Sequence, residues 1–293
     1  MRATILFGAA LVTLVALPAS AQRGRRSDSG RTSGRDNGTT SEERFTPALR
    51  SGQRLSVSNI DGNVTVTQSR GNAAEIIARK VVRRGNGELI KPVLEEVSGG
   101  YRICTVYLNR AGDDRGCGDR NRGNNNNDHW DNNGLDAAIN YEIRLPAGVA
   151  LTVNTVDGNI DARGIDTPAS IRSVDGSIDF EGVAPENMTT VDGSITAKIS
   201  GSDWSHAMAV RTVDGDIELT LPAGSNARIS GHTVDGQIDS DFPMTVTGKW
   251  GPQSFHGDIG SGRGPALELS TVDGSIRLHS SDGARRNGDR RRP

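Results

Sequence analysis

Aspartate followed by glycine recurs in one setting along this 293-residue chain. The hexapeptides TVDGNI (155–160), SVDGSI (173–178), TVDGSI (190–195), TVDGDI (212–217), TVDGQI (233–238) and TVDGSI (271–276) carry Asp157, Asp175, Asp192, Asp214, Asp235 and Asp273. Each precedes a glycine: Gly158, Gly176, Gly193, Gly215, Gly236 and Gly274. An outlying NIDGNV (59–64) adds Asp61 and Gly62. If these segments stack as strands, their carboxylates form a column with a spacing of about 4.8 Å. Neighbouring charges at that distance repel by roughly 1 kcal/mol even in water. Two chemistries would offset the repulsion. Each carboxylate could accept nearby backbone N–H groups in an Asx-type turn, or the column could hold calcium, which takes oxygen ligands. A single carboxylate per copy, without a G-G-x-G-x-D pattern, fits the first better. The reading therefore makes these fourteen residues structural corners, with no metal site and no cofactor.

The spacing of the aspartates says which elements hold them. From Asp157 onward the gaps are 18, 17, 22, 21 and 38 residues. The last gap is double, and FHGDI (255–259) puts His256 where an Asp is expected, which predicts a degenerate further copy there. Counting the Val of each hexapeptide as zero, apolar residues recur at −5, −3, +4 and +6, as in Leu151, Val153, Ile160 and Ala162 or Leu55, Val57, Val64 and Val66. Alternation marks strands on both sides of the Asp-Gly. The step from −3 to 0 changes parity, so a bend or bulge is expected there, with the Val and the Ile four apart both pointing inward. A two-residue Asp-Gly hairpin would mix polar and apolar side chains on each face, against binary patterning. If the chain instead runs on through the corner, each copy completes a rung that stacks on the last. The expected fold is all-β, a β-solenoid-like stack of short strands; an antiparallel β-sandwich is the alternative. Segments 74–82, 101–108 and 139–145 read as strands outside the repeat that elaborate the first rungs and share their core.

Composition agrees with short strands and turns: 34% of residues are apolar, 4% aromatic, and 37 are glycine. Residues 1–21 read as a secretory signal peptide, with Arg2, an apolar run from Ile5 to Leu17 and an Ala-Ser-Ala ending before a cut. No later stretch is apolar enough for a transmembrane segment after signal cleavage. Residues 22–44 carry six Arg against four acids and 281–293 five Arg against two. Both read as disordered basic tails flanking a single acidic β-repeat domain at 45–280, with a polar loop insertion at 112–135. An acidic folded part without an aromatic cluster argues against nucleic acid.

In an exported chain the two cysteines, Cys104 and Cys117, are most simply a disulfide. The five histidines, His129, His206, His232, His256 and His279, fall in different phases of the repeat and do not line up as ligands. There is no HExxH, CxxC or GxSxG, and GSGRG (260–264) lacks the strand-to-helix setting of a phosphate loop. Trp130, Trp204 and Trp250 lie in expected loops, where they could stack on sugars or plug the loop bases. No catalytic residue is singled out.

The recurrent T-V-D-G-x-I, with strand endings IRLPAG (143–148) and LTLPAG (219–224), resembles the β-strand-repeat proteins called putative adhesins, a domain family of unknown function related to toast-rack domains. The resemblance implies a β-solenoid-like module displayed outside bacterial membranes. The function expected is that of an exported non-enzymatic structural or adhesive module of the cell envelope, periplasmic or extracellular, with an envelope protein or glycan as partner. The alternative is a polysaccharide-acting β-helix enzyme, lyase or hydrolase, which would need an acid/base group where the repeat breaks.

Overall fold

A computed structural model describes residues 39–69, 71, 73–108, 116–117, 134–183, 185–248 and 251–281. Residues 1–21, expected to be a signal peptide, most of the two expected tails and most of the 112–135 insertion lie outside the described residues. In chain order the strands are β1 (Thr39–Phe45), β2 (Arg54–Ser58), β3 (Val64–Ser69), β4 (Glu75–Arg84), β5 (Ile90–Val97), β6 (Gly100–Tyr107), β7 (Asp136–Pro146), β8 (Ala150–Asn154), β9 (Ile160–Ile165), β10 (Ala169–Arg172) and β11 (Ile178–Gly182). They continue with β12 (Asn187–Thr189), β13 (Ile195–Ile199), β14 (Met208–Arg211), β15 (Ile217–Leu221), β16 (Ala227–Thr233), β17 (Ile238–Ser240), β18 (Thr245–Thr247), β19 (Gln253–Ile259), β20 (Ala266–Ser270) and β21 (Ile276–Ser280).

Each hexapeptide joins a strand of one sheet to a strand of the other. One sheet runs β1-β4-β7-β3-β9-β11-β13-β15-β21-β17 and the other β18-β19-β16-β20-β14-β12-β10-β8-β2-β6-β5. Rung pairs with rung in parallel, the corner-proximal residues in register, for instance Ile160 beside Ile178 beside Ile195 beside Ile217, with one shift between β9 and β11 at Glu181/Gly182. This is the solenoid-like stack and not the sandwich of hairpins. The apolar columns meet between the sheets: Val64, Ile160, Ile178, Ile195, Ile217 and Ile276 face Val57, Val153, Ile171, Met188, Val210 and Leu269, all fully buried. Burying one such side chain is worth about 1.5–3 kcal/mol. Volume is balanced along a column, since Phe180 sits between Ala162 and Ala197 and its ring covers Gly182.

Four expectations need correction. The residue at position zero does not point inward: Val156, Val174, Val191, Val213 and Val272 are 38–43% exposed, while the Thr or Ser before each is buried. Alternation thus continues without a bulge through −5, −3 and −1, and hydrophobicity alone picked the wrong member of the Thr-Val pair. Second, His256 is not at a corner. It lies in β19, which pairs antiparallel with β16, and β18 pairs antiparallel with β19 in turn. Third, the rungs are not stacked in sequence order. After this hairpin excursion the chain returns to insert β20 and β21 between the rungs of β14/β15 and β16/β17; that detour is what doubles the spacing. Finally, residues 39–44 are not tail but most of β1. This strand adds antiparallel to β4, with Arg44 reaching Glu75 at 3.1 Å and Arg79 reaching Glu42 at 3.5 Å across the pair, and its Phe45 packs on the core.

The elaboration shares that core. β7 adds parallel to β3 and β4 antiparallel to β7 in one sheet, while β6 adds parallel to β2 and β5 antiparallel to β6 in the other. Ile76, Ile90, Ile103, Ile139 and Tyr141 are buried there.

Candidate functional site

Along one edge of the stack the seven corners form a ridge. Its backbone is a parallel ladder: bridges join Asp61, Asp157, Asp175, Asp192, Asp214, Asp273 and Asp235 in that spatial order. Gly176 N–H donates to the Asp192 carbonyl at 2.8 Å and Gly193 N–H to the Asp214 carbonyl at 2.8 Å, and the other corners repeat this. The glycines stand where a side chain has no room. Gly193 has φ +147°, and a Cβ added there would lie 2.5 Å from the Gly176 carbonyl oxygen.

Two side-chain ladders, not the aspartates, close the remaining polar groups. The buried Thr212 hydroxyl donates to the Gly193 carbonyl at 2.8 Å, Thr190 to that of Gly176 at 2.9 Å, Thr271 to that of Gly215 at 3.0 Å and Thr233 to that of Gly274 at 2.8 Å. Thr155 is the exception. Among the described residues its Oγ1 is buried without a partner, and the Gly62 carbonyl in the neighbouring rung accepts from Asn59 Nδ2 at 2.8 Å. On the other side of the glycine, the variable residue of every hexapeptide but the last in the stack accepts the backbone N–H of its counterpart in the next rung. Asn140 Oδ1 accepts from Asn63 N–H at 2.9 Å, Asn63 from Asn159 at 2.9 Å, Asn159 from Ser177 at 2.8 Å and Asp216 from Ser275 at 2.7 Å. Sequence reasoning passed over both positions, although the variable residue is Asn, Ser, Asp or Gln in every copy and could have been read as an acceptor.

The corner aspartates are left facing solvent or half-buried, with no cation in ion-pair contact among the described residues. Desolvation against the corner and the charges of Asp192 and Asp273 push the Asp214 carboxyl above the usual carboxylate range. Burial and then Asp157 do the same at Asp61, opposed by Arg83. Asp216, in the variable position, goes the other way. The Ser275 N–H and the Arg277 guanidinium, 2.8 Å away, hold it below that range. Among the described residues no three acidic, imidazole or thiol side chains converge as metal ligands.

The other singled-out residues are spread over the molecule. Cys104 in β6 and Cys117 form a disulfide with Cα atoms 5.7 Å apart. Trp204 is buried at the edge opposite the ridge and belongs to the core, so it is a loop plug; Trp130 and Trp250 lie outside the described residues, as does His129. His232 and His256 sit on the outer face of β16 and β19, and His279 approaches Asp241 at 3.6 Å on β21. No described helix is long and apolar enough to cross a membrane.

Fold and ridge together define a two-sheet rack of parallel rungs with a repeated corner. The family model Toastrack DUF4097 matches residues 36–279, and the chain belongs to that family. Two solved structures are similar to it. One, named a putative cell adhesion protein from Clostridium sporogenes ATCC 15579, is 11% identical, covering 84% of this chain and all of that one, with a TM-score of 0.47. The other, named a putative adhesin from Bacteroides fragilis NCTC 9343, is 12% identical over 82% of this chain and 97% of that one, with a TM-score of 0.34. Likeness at this level carries nothing over to this chain's activity. No curated protein matches it.

Proposed function

We propose that the protein is an exported, non-catalytic module of the cell envelope, structural or adhesive, that begins at Gln22 once residues 1–21 are removed. The observation that carries this reading is the ridge: corner after corner presents the same exposed apolar and acidic pair on a rigid backbone ladder, a surface suited to extended contact. The Cys104–Cys117 disulfide fits an oxidising compartment, and the leader-like first residues fit export. A single acidic β-repeat domain from 45 to 280, extended at its start by β1, would be presented between two basic tails. Envelope protein or glycan is the partner this surface suits.

Fractionation of the native producer with N-terminal sequencing tests export: the mature chain should start at Gln22 outside the cytoplasm. Incubating it with solubilised envelope and with isolated envelope glycan should recover one of the two. A chain that keeps Met1 and stays in the cytoplasm would sink the reading.

A further inference from the structure

Where the antiparallel elaboration meets the first rung, the outer face of the sheet is not flat. An open groove of about 360 Å³ lies across β3, β7 and β4, lined by Asn63, Thr65, Ile77, Arg79, Asn140, Tyr141 and Glu142. Its size falls at the lower end for small-molecule sites, about 300–1,000 Å³. Ile77 faces this outer surface yet is only 8% exposed, which gives the groove an apolar floor. Asn63 and Asn140 belong to the ladder of variable positions, and that membership fixes how their amides point. Only Oδ1 can accept a backbone N–H, and both do so at 2.9 Å; each Nδ2 is therefore turned away from the ladder. Among the described residues neither Nδ2 has an acceptor, and Glu142 has no ion pair. Arg79 reaches only Glu42, at 3.5 Å.

The groove thus offers preoriented donors on Asn63 and Asn140, the Thr65 hydroxyl, an acceptor carboxylate on Glu142 and a guanidinium on Arg79, over an apolar floor. One cation and one anion leave no net charge for a phosphate or other strong anion. The backbone of the sheet is already paired here, so an extended peptide could not add as a strand. Adjacent hydroxyls that both donate and accept, on a ring with an apolar face, match the set. The geometry points to a subsite for one uncharged pyranose unit of a glycan. This rests on the envelope-module reading and narrows its partner to a saccharide at this groove.

Other rungs supply the substitution that tests it. Ser177 and Ser194 occupy the same ladder position and accept the next N–H through a hydroxyl, at 3.3 and 3.2 Å. Asn63→Ser and Asn140→Ser therefore keep the ladder and the fold while removing the outward amide. The mature chain, isotopically labelled, is titrated with N-acetylglucosamine and with cellobiose while the side-chain amide resonances are followed. Asn63 and Asn140 should shift and Asn159, the next rung's residue outside the groove, should not. Each serine variant should bind roughly three- to tenfold more weakly, as expected for one neutral hydrogen bond, and Asn159→Ser should bind as wild type. Equal weakening by Asn159→Ser, or no loss in the groove variants, overturns the subsite. If an envelope protein is recovered but neither sugar moves the groove amides, the subsite falls and the envelope-module reading stands; recovery of neither partner removes both.

Discussion

The middle of the rack and its two ends solve the same packing problem differently. From β8 to β15 every strand is parallel to its neighbours, each corner repeats the last, and the corner backbone is paired with the rung beside it, the Thr155 hydroxyl being the one buried corner group described without a partner. At the start, β6 and β7 still join the first rung in parallel but pair antiparallel with β5 and β4, and this end adds a disulfide and opens a groove; near the finish the β18/β19 hairpin leaves the repeat altogether. A rung templated by identical rungs gains stability from uniformity, because its backbone spacing is set by its neighbours. An end has a neighbour on one side only, so it needs elements that terminate the stack. Specific chemistry accordingly collects where uniformity stops.

The comparison breaks most sharply at a corner glycine. Gly193→Val forces a β-branched side chain into φ +147° and onto the Gly176 backbone. The expected loss is about 3 kcal/mol or more, read as a lowered urea midpoint or failure to accumulate. Gly224→Val, in a loop where an added Cβ meets nothing within 4 Å, should stay within about 0.5 kcal/mol. Equal losses would mean that the corner backbone is not what the rack depends on.

The next effect belongs to the first end. Closing 13 residues of separation between Cys104 and Cys117 should contribute on the order of 3 kcal/mol by restricting the unfolded chain. Cys104→Ser with Cys117→Ser should lower the denaturation midpoint accordingly. Hydrogen exchange should show the loss concentrated in β5 and β6, with the middle rungs keeping their protection under native conditions. Uniform loss across all rungs would show that the ends and the middle open as one unit.

How far the sequence revealed this follows from what period-two reasoning can see. The buried columns at −5, −3, +4 and +6 were legible because one face of each strand is dry, and the strand-corner-strand rung followed from them. The orientation of Thr212 and Val213 was not, because a hydropathy pattern ranks Val inside and Thr outside, whereas a Gly carbonyl in the next rung makes burial of the Thr hydroxyl favourable. The excursion through His256 was missed for a different reason. FHGDI imitates a corner within its five residues, and only long-range pairing with β16 distinguishes it. The groove was invisible, since it depends on β4 and β7 lying beside β3, a pairing across 77 residues between Asn63 and Asn140.

Smaller effects separate one corner from another. Thr212→Val removes the donor to the Gly193 carbonyl and leaves that oxygen buried, so about 1–2 kcal/mol should be lost. Thr155→Val, of nearly the same shape, removes a hydroxyl that is already buried without a partner and should be neutral or slightly stabilising. Paired thermal melts decide it. If Thr155→Val costs as much as Thr212→Val, Thr155 has a partner, such as a bound water, and the first corner is not the exception described.

The smallest effect is electrostatic and distinguishes the two kinds of aspartate at the corners. Asp214 and Asp61 have folded values raised above the 3.8 of the unfolded chain. Between 3.8 and the raised value the native state binds a proton that the unfolded chain does not. Stability from these groups therefore rises as pH falls through that window, and the gain is complete below 3.8. Asp216 is held below 3.8 by the Ser275 N–H and Arg277. Its contribution is present above 3.8 and is lost as pH falls through its own lower value. Difference curves of urea midpoint against pH, wild type minus variant at low salt, isolate each residue from the other carboxylates. For Asp214→Asn the difference should grow in favour of wild type as pH falls toward 3.8 and then level off. For Asp216→Asn it should favour wild type at neutral pH and vanish in acid. Asp192→Asn should also relieve repulsion on Asp214 and shrink its rise. A flat Asp214 curve would mean that the ridge carboxylates do not feel one another across the rungs, and a flat Asp216 curve that the Ser275 N–H and Arg277 do not hold its carboxylate.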